Sequence, residues 1–454
     1  MRILLVRPPR RKKSITLGEF MFSEPLGLEC LVTLLGSKHD VKILDLMVGL
    51  EDFKEEMLNF QPHVVGFTSL CIDVWGVKEL AQKTKDFNEK IITLAGGTQA
   101  FLSPENFFSK EIDYVVKYIS KGNIEKLIDY LDKGKEVPLI DGIYSRENGF
   151  KSTEVQEINE YVIPNRESTQ KYRKYYSYFG YRPCALLQTS RGCSSHCNFC
   201  LRWRIEGGRE QDEPLENIIT QIEDIPELNI MIIDNNFLYN RERLENFCNL
   251  LEERNINKNF ICYGSVESII SNQDTLKRLR KNGLRACIVG YESFKAEELK
   301  GYNKKATINE NIKASQILKN MGIAAWASFI LHPDWDTQDF RQFRKYVKSL
   351  KPEISSLIPL TALPGSQLYN KYKERILFAP NDYEQWSFSV VTIRPSKISL
   401  RKYYYEVLKT NLYVNLMLNN PAYMVKQFGL GTIFRLVKGS LKFLVTYCKL
   451  MLKG

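Results

Sequence analysis

Short apolar runs alternate with longer stretches in which apolar residues recur every three or four positions, and the pattern holds to about residue 366. The runs at residues 3–6, 41–46, 64–69, 91–95 and 114–118 read as strands. Between them, residues 26–35 and 77–87 carry helical periodicity. This alternation predicts a parallel sheet covered by helices, so residues 1–150 are expected to form a doubly wound, Rossmann-like α/β domain with ligands at the carboxyl ends of its strands. A polar, tyrosine-rich linker at 151–183 interrupts the pattern. It resumes with strands at 185–189, 230–234, 260–263, 286–291, 323–330 and 354–358, the first five each followed by a helical pattern. Such units over residues 184–366 suit a partial (β/α)6 barrel better than the closed eight-unit form. Residues 367–454 lose the alternation and are expected to form a C-terminal helical region with a basic amphipathic tail.

At 454 residues and 44% hydrophobic, the chain is too long for one ordinary core and too apolar for disorder. Its net charge of +11 favours an anionic partner without choosing among nucleic acid, a membrane surface and a phosphorylated small molecule. Seven of the ten cysteines are scattered singly. No run of about 18 uncharged apolar residues marks a spanning helix. The opening run Arg2-Ile3-Leu4-Leu5-Val6 is too short for a signal peptide, so a reducing, cytoplasmic setting is expected.

The other three cysteines fall in Arg191-Gly192-Cys193-Ser194-Ser195-His196-Cys197-Asn198-Phe199-Cys200, directly after the first barrel strand. Three thiolates on one loop at the carboxyl face can hold an iron–sulfur cluster, leaving one iron open to the amino and carboxylate groups of a small ligand. The other reading is a zinc knuckle completed by His196. Structural zinc sites usually take ligand pairs from separate strands or loops, whereas these candidates crowd one loop.

With Phe199 before the last cysteine, the loop matches CxxxCxΦC, Φ being aromatic, and resembles that of the radical S-adenosylmethionine (SAM) superfamily. Gly290-Tyr291-Glu292-Ser293 resembles the family's G-x-E-S element, residues 299–307 its K-x-x-T turn, and Thr361-Ala362-Leu363-Pro364-Gly365-Ser366 its late T-P-x-P-G-T loop. The resemblance implies a [4Fe–4S] cluster on Cys193, Cys197 and Cys200, with Phe199 against the adenine of SAM and Glu292 near its ribose or methionine amine. It places Asn235 and Asn236 near the methionyl group, although the family's glycine-glycine-glutamate form of that element is not present. It also implies reductive cleavage of SAM to a 5′-deoxyadenosyl radical, with electrons from a donor such as flavodoxin or ferredoxin.

In the first domain, Thr68-Ser69-Leu70 after the third strand and Gly96-Gly97-Thr98 after the fourth resemble the S/T-x-L and G-G elements of the cobalamin-binding module found ahead of many radical SAM barrels. Glu24-Pro25-Leu26-Gly27-Leu28 is another feature of that subgroup. Adjacent glycines at a strand end let the backbone approach a bulky ligand. The resemblance thus implies cobalamin held by Thr68, Ser69, Leu70, Gly96, Gly97 and Thr98. None of the histidines, His39, His63, His196 and His332, lies in a D-x-H-x-x-G motif, so a bound cobalamin is expected to lack a histidine lower ligand. Ser120-Lys121-Gly122-Asn123 replaces the module's usual G-E-G-E turn. A Rossmann-like domain that binds nothing is the competing reading.

Near the C-terminus, Arg435, Lys438, Lys442, Lys449 and Lys453 share one helical arc of roughly 60° amid apolar residues. Such a helix either packs on a core with one solvated face or lies in a membrane interface. Arg7, Arg10, Arg11, Lys12 and Lys13 follow the first strand, where they could meet an anionic group or form a solvated loop.

The reading is a radical SAM enzyme that methylates an unactivated carbon of a small-molecule or lipid substrate with cobalamin, is cytoplasmic, and contacts the inner face of the membrane through its C-terminal helix. Radical oxidation, cyclisation or carbon–carbon coupling without methyl transfer is the alternative among enzymes. A zinc-stabilised, membrane-associated binding protein without turnover is the alternative outside them. Nucleic acid is not an expected partner, since the extra cysteines and C-terminal β-barrel of the RNA-modifying methylthiotransferase branch are not visible.

Overall fold

The computed structural model describes residues 1–11, 21–152, 161–364 and 366–453. Two compact units divide the chain. The first comprises residues 1–11, 24–152, 161–173 and 379–387, and the second residues 21–23, 174–378 and 388–453, within those described.

The first unit is built on β1 (Arg2–Arg7), β2 (Asp40–Asp45), β3 (Val64–Thr68), β4 (Ile92–Gly96), β5 (Tyr114–Val116) and β6 (Ile143–Ser145). They lie in the order β2-β1-β3-β4-β5-β6, parallel except for β6. Alternate residues serve opposite faces. Leu4, Val6, Val65, Phe67 and Ala95 enter one core, and Ile3, Leu5, Val64 and Leu94 the other. Both faces are covered, which is why these strands read as unbroken apolar runs. The strand order reverses at β1 and β3, so the carboxyl ends of β1, β3 and β4 frame the crevice typical of such sheets.

Part of the expected linker belongs to this unit. Arg166 and Arg173 reach the buried Glu24 at 2.6 and 2.8 Å, and Asn165 N–H donates to the Glu29 carbonyl at 3.1 Å. Residues 379–387 also return here: Tyr383 joins the core, 5.6 Å from the Trp75 ring. Hydrophobic periodicity carries no trace of such long-range pairs.

The second unit carries β7 (Cys184–Leu187), β8 (Asn229–Ile232), β9 (Asn259–Gly264), β10 (Leu284–Glu292), β11 (Ala324–Leu331) and β12 (Ile354–Pro359). These six pair in chain order, all parallel, as the partial barrel requires. The C-terminal helices belong to this unit and do not stand apart as a domain. Tyr403 O–H donates to the Leu331 carbonyl at 3.0 Å, Arg344 pairs with Glu406 at 3.2 Å, and Ser355 N–H donates to Asn419 Oδ1 at 2.9 Å. The last helix, Pro421–Lys453, is broken at Gly429, whose φ of 73° and ψ of 162° are not helical. No helix among the described residues is long and apolar enough to cross a membrane.

Candidate functional site

The cysteine loop leaves the end of β7 and is anchored from below by a buried carboxylate. Asp234, just past β8, accepts from Thr189 N–H at 2.7 Å, Thr189 Oγ1 at 2.5 Å and Ser190 Oγ at 2.8 Å. Burial raises its pKa, and these hydrogen bonds pull the other way. Ser190–Arg191 then pairs antiparallel with Gln211–Asp212, closing the loop as a hairpin around the short helix Arg202–Glu206. Only glycine fits at 192: its φ is 82°, and a Cβ there would lie 1.8 Å from the Arg209 carbonyl oxygen.

Within the hairpin, Cys193 N–H donates to the Gly207 carbonyl and Cys200 N–H to that of Cys197, each at 3.1 Å. Trp203 Nε1–H also donates to the Cys197 carbonyl. All three cysteines are free thiols, Cys197 buried and the others half-buried. Burial pushes Cys197 up to about 11 against the pull of the Lys304 ammonium, and it raises Cys200 as well. Without a metal these two thiols stay protonated at neutral pH, and loading a metal releases their protons. Among the described residues, no three His, Cys, Asp or Glu side chains gather as a single-ion site. His196, the extra ligand in the zinc reading, is exposed and sits edge-on to Trp203.

The far wall is the turn after β10. Asn198 donates its N–H to the Tyr302 carbonyl at 3.0 Å and its Nδ2 to that of Gly301 at 2.9 Å, while Asn303 Nδ2 donates to the His196 carbonyl at 3.0 Å. This stitching sets Phe199 edge-on to Tyr302 at 5.5 Å. The Tyr302 hydroxyl is buried without a hydrogen-bond partner. Glu292 ends β10 in the left-handed region, φ 60°, with Oε1 3.2 Å from Lys304 Nζ. Glycine at 290 makes room for the pair, since a Cβ would lie 2.1 Å from Glu292 Oε1. Burial lowers the Lys304 pKa, but the charge and hydrogen bond of Glu292 act against it and the net shift is upward, so the ammonium is retained.

Two expected SAM contacts divide. Asn235 is committed to the loop: its Nδ2 donates to the Gly192 carbonyl and to Glu206, and its Oδ1 accepts from Arg202, all at 2.8 Å. Asn236 instead serves the helix Val266–Ser271, accepting from Ser265 N–H at 3.0 Å and donating to Ser268 Oγ at 2.9 Å. Asp234, Tyr302 and Lys304 were not singled out from sequence. Lys304 lies within the K-x-x-T-like stretch and was legible there; a lone Asp after a strand gives no signal.

In the first unit, Ser69 Oγ donates to the Gly96 carbonyl at 2.7 Å, and Gln99 N–H donates to the Ser69 carbonyl at 3.1 Å. Gly97, at φ 90°, brings the two loops together: a Cβ would lie 2.6 Å from Ser69 N and 2.7 Å from Thr68 Oγ1. Thr98 opens the helix Thr98–Leu102. Leu70 is exposed at this edge, and a Cβ on Gly96 would meet nothing nearer than 3.6 Å. An uncrowded backbone edge beside an apolar side chain fits a large flat cofactor. His39 and His63 lie at the opposite edge, hydrogen-bonded to the Met1 amino group and the Arg2 backbone N–H respectively. Ser120 and Asn123 cap the helix Lys121–Asp132 reciprocally. Arg7, Arg10 and Arg11 pair with Asp45, Asp73 and Glu79, so their charge is largely satisfied internally. Lys12 and Lys13 lie outside the described residues.

The radical SAM superfamily matches residues 187–347 and the B12 binding domain residues 21–126. The chain is a radical SAM enzyme carrying a B12-binding domain, and its cofactors are SAM, a [4Fe–4S] cluster and cobalamin. It is 26% identical to the hopanoid C-3 methylase of Methylococcus capsulatus over 86% of this chain and 76% of that one. Its fold is similar to that of the radical SAM methyltransferase TsrM from Kitasatospora setae, with TM-score 0.69, 17% identity and 93% and 89% of the two chains covered. The cobalamin-dependent radical enzyme OxsB is also similar in fold, with TM-score 0.73, 17% identity and 96% and 72% covered.

Proposed function

We propose that the protein transfers a methyl group to an unactivated carbon of a small-molecule or lipid substrate. The similarity to a hopanoid C-3 methylase supports methyl transfer. The observation that carries the site is the stitching of the loop that bears three free thiols, through Asn198 and Asn303, to the turn that follows the Glu292 strand end and leads to Lys304, at the carboxyl edge of a parallel six-stranded sheet. Cys193, Cys197 and Cys200 would hold the cluster, and Asp234, Asn235 and Gly192 would keep their loop in shape. Lys304, a half-buried ammonium, is suited to the carboxylate of SAM, and Glu292 to its amine or ribose hydroxyls. Phe199, fixed by Tyr302, offers a ring edge to the adenine. In the first unit, Gly96 and Gly97 would leave the corrin its space, with Thr68, Ser69, Leu70 and Thr98 around it. When bound, these cofactors supply the radical and methyl chemistry; the protein positions and shields. A one-electron carrier such as flavodoxin or ferredoxin would supply reducing equivalents in the cytoplasm, and a lipid substrate would favour a peripheral place at the membrane.

Anaerobic reconstitution followed by electron paramagnetic resonance tests the site. A [4Fe–4S]⁺ signal that changes on SAM addition is expected, and it is expected to vanish when Cys193, Cys197 and Cys200 are all replaced by Ala. Lys304→Met should keep the cluster and weaken SAM about tenfold or more, the loss of one charge-assisted hydrogen bond. A SAM-responsive cluster in the triple variant would sink the assignment.

A further inference from the structure

The last helix turns an apolar stripe outward. Leu430, Phe434, Val437, Leu441, Val445 and Leu452 are each more than half exposed, from 51% at Val445 to 80% at Leu452. At about 100° per residue they fall within an arc of roughly 80°. The helix is held by a different side. Tyr447 is fully buried, its O–H donates to the Ser389 carbonyl at 2.8 Å, and its ring lies 4.1 Å from Phe443 and 5.4 Å from Tyr404. That contact fixes the rotation of the helix and leaves the stripe uncovered within its own unit.

Charge identifies what covers it. Lys438, Lys442 and Lys449 are exposed and line the flank of the stripe away from Tyr447. No acidic residue follows Glu406 in the sequence. A second copy docking through the same stripe would bring like charges together. An anionic bilayer surface would instead take the apolar side chains among its acyl chains while the lysine stems reach up to the headgroups.

We infer that this helix is a docking surface for an anionic lipid bilayer, lying in the interface plane with the Leu430–Leu452 stripe inserted and the lysine row at the headgroups. It deepens the lipid-substrate reading and rests on it only for its purpose, because membrane association requires neither cofactor nor turnover. The test is sedimentation of the full-length protein with vesicles of phosphatidylcholine alone or with about a third phosphatidylglycerol, with sedimentation velocity in the absence of lipid. Binding to the anionic vesicles is expected, weakened but not abolished by high salt, since only the electrostatic part is screened. Each lysine near such a surface contributes about fivefold, so K438Q/K442Q/K449Q should bind on the order of a hundredfold more weakly. F434S/L441S, altered only at exposed positions, should lose binding while its electron paramagnetic resonance signal stays that of the wild type. Failure of the wild type to sediment with anionic vesicles, equal binding to both vesicle types, or a dimer dissolved by F434S/L441S would each overturn the proposal. The resonance signal is read in the same preparations, so failure of the cluster assignment stays separate.

Discussion

The adjacent glycines at the end of β4 have different reasons to be glycine, and substituting them one at a time separates fold from cofactor. Alanine at 97 would put Cβ 2.6 Å from Ser69 N, 2.7 Å from Thr68 Oγ1 and 2.8 Å from the Ser69 carbonyl oxygen, at φ 90°. The left-handed backbone costs about 1–3 kcal/mol and the backbone overlap a further 1–3 kcal/mol. Gly97→Ala is therefore expected to lower the unfolding midpoint by on the order of 10 °C. At 96 the nearest atoms are the Val116 carbonyl oxygen at 3.6 Å and Val116 Cβ at 3.8 Å, ordinary contacts. Gly96→Ala should be neutral or slightly stabilising, because the unfolded chain loses freedom, by up to about 1 kcal/mol. On the proposed placement of cobalamin at this strand end, a larger Gly96→Leu side chain would compete with it for space and should weaken hydroxocobalamin binding about a hundredfold. Thermal unfolding followed by circular dichroism and absorbance titration with hydroxocobalamin measure the two effects. Unchanged stability in Gly97→Ala, or near wild-type affinity in Gly96→Leu, would refute the reasoning.

Two further outcomes follow from buried carboxyls. Asp234→Ala strands three donors in a buried site, at about 1–3 kcal/mol each, and is expected to reduce iron bound per chain after reconstitution; wild-type iron content would remove Asp234 as the anchor of the loop. Glu29 is pushed up to about 8, first by burial and then by the neighbouring Glu24. The folded state thus holds a proton that the unfolded chain releases above the ordinary carboxyl range. The resulting stabilisation is complete below about 4.5, declines as pH rises, and is gone above about 8. Glu29→Gln should flatten this dependence, which is worth a few kcal/mol across the interval. Unfolding midpoints at pH 5 and pH 8.5 check it, and the same slope in wild type and variant would exclude Glu29 as its source.

The barrel and most of the doubly wound sheet were legible because their strands are buried on both faces and therefore apolar throughout. β6 was not, being only Ile143–Ser145 and lying antiparallel. The cysteine loop was legible because its chemistry is local, ten residues from Arg191 to Cys200. Its supports were not. Asn235 and Asn236 are neighbours in sequence, yet one holds Gly192 and the other a helix end, a division set by backbone direction that residue type does not encode. The basic residues after β1 looked available for a ligand because their acidic partners, Asp45, Asp73 and Glu79, lie 38 to 68 positions away. In the tail, composition left both a packed and an interfacial face open. The position of Tyr447 shows that one side packs while the apolar stripe stays exposed.

The return of residues 379–387 to the first unit bears on how the protein is made. The ribosome finishes β1 to β6 long before it reaches Tyr383, whose ring completes the core beside Trp75. Conversely, Met21–Phe22 pairs with Ser177–Tyr178 of the second unit, which emerges much later. Neither unit can reach its final packing from an uninterrupted piece of nascent chain, so the order of synthesis imposes a waiting period on the first. A fragment ending between the two units would leave an aromatic vacancy beside Trp75. The core of the first unit can therefore close only once residues 379–387 have been made.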